Sequence, residues 1–196
     1  GKGGHGAIPN LTVDPLVAAA QIVSAAQSIV SRNVGPLETA VVSFTIINGG
    51  TAFNVIPQEA TLEGTIRTFD PAVRLTVIKR FEEIVRGVGE AMGCQVEMQV
   101  KQLTPALINA EQVTEKVQET ARRILPAANH DNNPYLTMGA EDMAYMQEKV
   151  NGCYFFIGSN NSEKHLDYGH HHPKFDFDEQ AMINGVALMA SAAADI

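Results

Sequence analysis

Positive charge is in short supply. Lysine and arginine number 14 against 22 aspartates and glutamates, a formal charge of −8 with histidine neutral. Nothing resembles a basic face, so nucleic acid is not an expected partner. Long apolar runs are also missing. The most apolar tract, residues 181–196, is interrupted by Asn184, Gly185 and Ser191. It reads as a buried helix, and no membrane association is expected. Cysteine is scarce. Cys94 and Cys153 lie far apart, fit no metal-ligand spacing and sit in strand-like runs. They read as buried, reduced thiols acting as small core hydrophobes, from which a cytoplasmic setting is expected. No signal peptide is visible, and the chain opens, without an initiator Met, in what reads as the middle of a motif. There is no convincing Ser-His-Asp order or phosphate loop. The dinucleotide fingerprint also fails, because Ala7 of GKGGHGA takes the place of the third glycine.

What is present suits a globular protein. The 196 residues are 45% apolar and 18% charged, enough for one large domain or two small ones. Gly1–Pro9 reads as a strand end or loop. Asp14-Pro15 opens a helix whose apolar spacing runs from Leu16 to Val30 and which Gly35-Pro36 stops. The β-branched run 39–47 reads as a strand ended by Gly49-Gly50, and 59–68 as a second, alternating one. Asp70-Pro71 opens another helix reaching towards Gly93, and residues 95–100 alternate as a further strand. With Gly1–His5 as the end of a first strand, the order is β-α-β-β-α-β. That is a ferredoxin-like arrangement, with two helices on one face of a four-stranded antiparallel sheet.

Beyond Leu103 the pattern changes. Residues 109–125 form an amphipathic helix, 126–134 a polar irregular stretch, and 140–150 a short helix capped near Glu141-Asp142. The run CYFFI at 153–157 reads as a strand covered on both faces. A histidine-rich loop, 165–173, leads to a last helix after Asp178. This α-β-α segment has too few strands for a complete α/β domain. The expected division is 1–104 and 105–196.

The densest cluster of metal-ligand side chains is His165, His170, His171, His172 and Asp176. Successive residues of an extended loop point opposite ways, so at most one or two could share an ion. An exposed polar loop is the alternative. His5 sits in a glycine frame that lets backbone approach a ligand closely, although such a His can be incidental. Asn54 lies in a turn closed by Pro57 and could simply form that turn. If Leu62 and Ile66 face the helices, Arg67 faces the open side of the sheet, either solvated or gripping a carboxylate. Glu141 and Asp142 follow Met138-Gly139-Ala140, where ordinary helix capping would also account for them.

Taken together, four segments resemble one family. GKGGHGA-x-P followed by TVDP is similar to the start of the lid domain of M20 metallopeptidases and amidohydrolases, in the subgroup of hippurate hydrolase and the hydrolases of auxin (IAA)–amino acid conjugates. GGTAFNVIPQEATLEGTIRTFD is similar to the lid's central hairpin, MGAEDMAYM to its Gly-(Ser/Ala)-Glu-Asp segment, and HHPKFDFDEQAM to its C-terminal His-x-Pro-x-Phe motif. The resemblance implies a lid that dimerises with that of a second subunit, followed by the C-terminal part of an α/β zinc-peptidase-like catalytic domain. It implies hydrolysis of the amide bond of N-acyl amino acids or small peptides by two divalent ions, zinc, manganese or nickel, which polarise the carbonyl and activate a water. His171 matches the C-terminal metal ligand. His5 matches the lid histidine that stabilises the oxyanion in the opposite subunit. Asn54 and Arg67 match residues holding the scissile amide and the carboxylate, and Gly139 and Glu141 line up near the substrate loop. Position 10, commonly His in this subgroup, is Asn10 here, which bears on substrate preference. The family's other ligands and its general-base Glu belong to an N-terminal half with no counterpart in these residues. Two alternatives follow: a dimerisation and substrate-binding fragment without activity of its own, or a non-catalytic metal binder using the histidine loop.

Overall fold

The computed structural model describes residues 1–126, 130–133 and 135–195. The chain divides into two compact units, Gly1–Ala106 and Leu107–Ile196.

The first unit contains β1 (Gly4–His5), α1 (Pro15–Asn33), β2 (Ala40–Gly49), β3 (Val55–Ile56), β4 (Ala60–Thr68) and α2 (Pro71–Ala91). Both helices start on the same device. Asp14 accepts from the N–H groups of Leu16 and Val17, and Asp70 from those of Ala72 and Val73. Pro15 and Pro71 follow at positions where no N–H is needed. Each carboxylate cap is worth about 1 kcal/mol. The turn after α2 passes through Gly93, whose φ of +72° is cheap only without a Cβ.

β2 and β4 form an antiparallel ladder from Ala40↔Thr68 to Gly49↔Ala60, with a register shift between Phe44 and Ile46. At that irregularity Gly64 faces Phe44, and a Cβ on it would stand 2.1 Å from the Ser43 carbonyl oxygen. The close crossing therefore requires glycine. Ala26 and Ile29 of α1, Val73 and Val77 of α2 and Val42 of β2 form the buried core, with Phe44, Ile66 and Phe81 packed against it. Val42 pairs with Ile66, so both helices cover one face of the hairpin. Neighbouring residues alternate faces in a strand, which puts Arg67 and its partner Val41 on the other face.

The expected four-stranded sheet is not what these residues form. Among the described residues there are two separate two-stranded ladders, β1–β3 and β2–β4. Residues 95–100 belong to no strand. Their alternation survives only as burial, with Cys94, Val96 and Met98 half-buried and Gln95, Glu97 and Gln99 exposed. Val96 packs on Gly89 of α2, its methyl 2.2 Å from where a Cβ would sit. Alternation records one covered face, and here a helix covers it without a neighbouring ladder.

The second unit contains α3 (Glu111–Ile124), α4 (Met143–Gln147) and α5 (Gln180–Asp195). α3 buries Val117 and Ala121, and α5 buries Leu188 and Ala192. Buried Thr120 donates its hydroxyl to Asp195 at 2.6 Å, and Arg123 pairs with the same carboxylate. The Thr120 hydroxyl, with Arg123, holds the Asp195 carboxyl below its ordinary range. The expected strand at 153–157 is absent from the described residues. The cause is visible at Tyr154, whose N–H and C=O are both taken by the side-chain amide of Asn109, at 2.7 and 2.8 Å. One asparagine thus replaces a strand partner. Asp142 also makes no side-chain cap on α4; Glu141 accepts from the Met143 N–H instead. Cys94 and Cys153 are free and half-buried, not buried as expected. Part of the stretch read as irregular, residues 127–129 and 134, lies outside the described residues. Among those described, no helix is long and apolar enough to cross a membrane.

Candidate functional site

The first unit brings two of the candidate residues together. His5↔Val55 is a rung of the β1–β3 ladder, so Asn54 is one residue from His5's partner. The next contact tightens the pair: the Gly6 N–H donates to the Asn54 carbonyl at 2.8 Å. A Cβ on Gly6 would stand 3.0 Å from that oxygen, so a side chain here would push the Asn54 loop back by a few tenths of an ångström. Gln58 ties down the strand's start, accepting from the Gly3 N–H and donating to the Gly1 carbonyl. The side chain of His5 is exposed, and its Nδ1 accepts from the Ala7 N–H at 3.0 Å. With Nδ1 the acceptor, the ring proton sits on Nε2. Among the described residues nothing binds that N–H.

Arg67 is not part of this pair. Asn54 lies in the connection between Gly49 and Ala60, which face each other at one end of the β2–β4 ladder. Arg67 is seven residues further along β4, about 23 Å at the rise of a strand.

In the second unit the three consecutive histidines are sorted by their surroundings. The His170 ring stands edge-on to Phe175 at 5.0 Å, and the His172 ring stacks on Tyr168 at 4.4 Å. His172 Nδ1 also accepts from the Lys174 N–H. His171, between them, has a left-handed backbone with φ of 64°, is exposed, and has no hydrogen-bond or ring partner among the described residues. A left-handed residue with a Cβ costs on the order of 1 kcal/mol and persists only where its neighbours impose it. His165 is likewise left-handed, and Asp176 accepts from its neighbour Phe177.

The ends of the histidine loop are joined by a network that sequence reasoning missed. Asn161 donates to Asp178 at 2.5 Å, Lys164 reaches both carboxylate oxygens at 3.0 Å, and the Asp178 N–H donates to the Ser159 carbonyl. The Asn161 bond first, then Lys164, lower the Asp178 carboxyl to about 2. Tyr154 was missed as well. Its hydroxyl donates to Glu141 at 3.0 Å, which with burial pushes the phenol above its ordinary value. Both oxygens of Glu141 are thereby engaged, one with Tyr154 and one with the Met143 N–H. Gly139 is exposed and donates its N–H to the Thr137 hydroxyl. No sequence signal marked either network; their members are 13 to 17 residues apart or closer and share no motif.

Among the described residues, no three His, Cys, Asp or Glu side chains come together so as to hold a metal ion. The donors present do not by themselves make a metal centre.

Residues 17–195 match the model of peptidase family M20/M25/M40, and the chain belongs to that family. It is 39% identical over 183 residues to the N-acetylcysteine deacetylase of Bacillus subtilis, covering 93% of this chain and 46% of that protein. It is 34% identical over 191 residues to thermostable carboxypeptidase 2 of Saccharolobus solfataricus, covering 97% and 48%. Among solved structures, Bacillus subtilis YXEP, described as a dinuclear metal binding peptidase of the M20 family, superposes with a TM-score of 0.71. It is 30% identical and covers 94% of this chain and 48% of that one. The chain spans about half the length of the curated relatives it matches.

Proposed function

We propose that the protein carrying this chain hydrolyses the amide bond of N-acyl amino acids or small peptides, with divalent metal ions as cofactors. The observation that carries the reading is His5: its Nδ1 is held by the Ala7 N–H, which leaves Nε2–H as a fixed donor beside Asn54. A fixed donor is what a carbonyl oxygen gaining negative charge needs, and one such contact contributes roughly 3 kcal/mol of barrier lowering. The side-chain amide of Asn54 orients the scissile amide. Arg67 grips the substrate carboxylate from the open face of the hairpin with its planar fork. The names of the relatives, a deacetylase and a carboxypeptidase, agree with amide hydrolysis.

Within one copy, Arg67 stands about 23 Å along β4 from Ala60, where the connection carrying Asn54 rejoins the hairpin, farther than a small N-acyl amino acid reaches. We therefore assign them to different active sites of a homodimer built through residues 1–104, the lid, with His5 serving the site of the opposite subunit. Both outer edges of the β2–β4 hairpin are unpaired among the described residues, which leaves backbone donors and acceptors for strand addition.

Residues 105–196 are assigned to the catalytic domain. His171 is the metal ligand of the histidine loop, the one imidazole of three consecutive histidines not engaged by an aromatic ring. Gly139 and Glu141 border the substrate, with Glu141 held by Tyr154. The metal would be zinc, manganese or nickel, two ions per site, and the setting cytoplasmic. A second reading is favoured by the shortage of donors among the described residues: residues 1–196 alone bind and dimerise without hydrolysing. The test is hippurate and N-acetylcysteine cleavage with manganese or zinc added, by the full-length protein and by residues 1–196. Cleavage by the former only is expected. No cleavage of these or of short peptides by the full-length protein would sink the hydrolase reading.

A further inference from the structure

The loop that carries Asn54 also carries a side chain with no packing role in its unit. Phe53 is 104% exposed, more than in an extended reference chain, next to the residue that pairs with the His5 turn. A phenyl ring left entirely in water gains nothing for the fold. Beneath the loop is an open hollow of about 500 Å³, bordered by Gly6, Leu16, Gly49, Phe53, Val55 and Ile56, with no charged side chain on its wall. The absence of side chains at Gly6 and Gly49 helps keep it open. At Gly49, a Cβ would meet Leu16 at 2.5 Å.

We propose that Phe53 and this hollow form a subsite for an apolar acyl group of the substrate, presented to the reacting amide together with His5 and Asn54. The proposal rests on the hydrolase reading above and deepens it. In an N-acyl amino acid the reacting carbonyl separates the acyl group from the amide and carboxylate. His5 Nε2–H meets the carbonyl, so the groups beside His5 meet what the carbonyl carries. The hollow has no cation to receive a carboxylate, and Arg67 of the same copy stands at the far end of β4. The acyl chain is the end that fits. The apolar side chains of Leu16, Phe53, Val55 and Ile56 share the wall with exposed backbone and Thr51, so longer acyl chains are favoured by well under the roughly fourfold per methylene of full burial.

The experiment uses the full-length protein with manganese or zinc and the N-acetyl, N-butanoyl and N-hexanoyl derivatives of one amino acid. The wild type is expected to prefer hexanoyl to acetyl by tenfold or more in kcat/KM. Phe53→Ala is expected to reduce that ratio by about tenfold, and Phe53→Leu to retain most of it. An unchanged ratio in Phe53→Ala, or a uniform loss for all three chain lengths, overturns the subsite. So does a Phe53→Ala protein that dissociates or melts several degrees lower, because the ring would then be a packing surface against other polypeptide. A wild type that cleaves none of the three sinks the hydrolase reading itself, a result distinct from a flat chain-length profile.

Discussion

Replacing Gly6 by alanine perturbs the candidate site at one backbone contact. The new Cβ would stand 3.0 Å from the Asn54 carbonyl oxygen and 3.3 Å from its carbon. Both are backbone atoms, so no side chain can swing aside, and the loop must retreat by a few tenths of an ångström. The Gly6 N–H bond to that oxygen, 2.8 Å long, then stretches. A hydrogen bond of this kind contributes about 1 kcal/mol net, and the crowding adds a comparable amount. Gly6 is exposed, so no core is disturbed and the protein still folds, with a thermal midpoint lower by roughly 5 °C. The effect on turnover is larger in proportion, because His5 and Asn54 no longer hold a fixed spacing. If loss of the donor altogether costs on the order of 100-fold, misplacement costs about tenfold. The assay is kcat and KM for an N-acyl amino acid on the full-length protein, beside a melting curve. A variant that melts lower yet turns over at the wild-type rate would refute the claim that the turn exists to set the His5–Asn54 spacing.

Three further outcomes are expected. Arg67→Ala is expected to raise KM for N-acyl amino acids by tenfold or more with a smaller change in kcat, as the proposed carboxylate grip requires; steady-state kinetics separate the two. His171→Ala leaves the fold intact, since the ring is exposed, and lowers the metal bound per chain in the full-length protein, measured by elemental analysis. Asp178, lowered to about 2 in the folded protein, contributes stability that is fully present above the ordinary carboxylate pKa of about 4 and is lost as pH falls towards 2. Melting curves should therefore show Asp178→Asn less stable than wild type at pH 6, with the difference closing by pH 2.

Local features were legible where one residue dictates the local physics. Asp14-Pro15 and Asp70-Pro71 each supply an acceptor and a residue that needs none, and both helices begin there. The glycines around His5 were legible as allowing close backbone approach; that Gly6 approaches the Asn54 carbonyl is seen only in the structure. Strand pairing was less legible, because alternation reports a covered face and not what covers it. Residues 95–100 alternate against α2, and Tyr154 is satisfied by an asparagine side chain. Spacing alone left open which of His170, His171 and His172 is available. In the structure Phe175 and Tyr168 engage the rings of His170 and His172, and His171 has no ring partner among the described residues. The Asn161–Lys164–Asp178 and Tyr154–Glu141 networks depend on loop geometry with no sequence period, and no motif marks them.

The central claim is that His5 acts as a donor to the developing oxyanion, and kinetics of His5→Ala in the full-length protein test it most directly. The account expects kcat to fall about 100-fold with KM within a few-fold of wild type. A kcat unchanged by removal of the imidazole would contradict it.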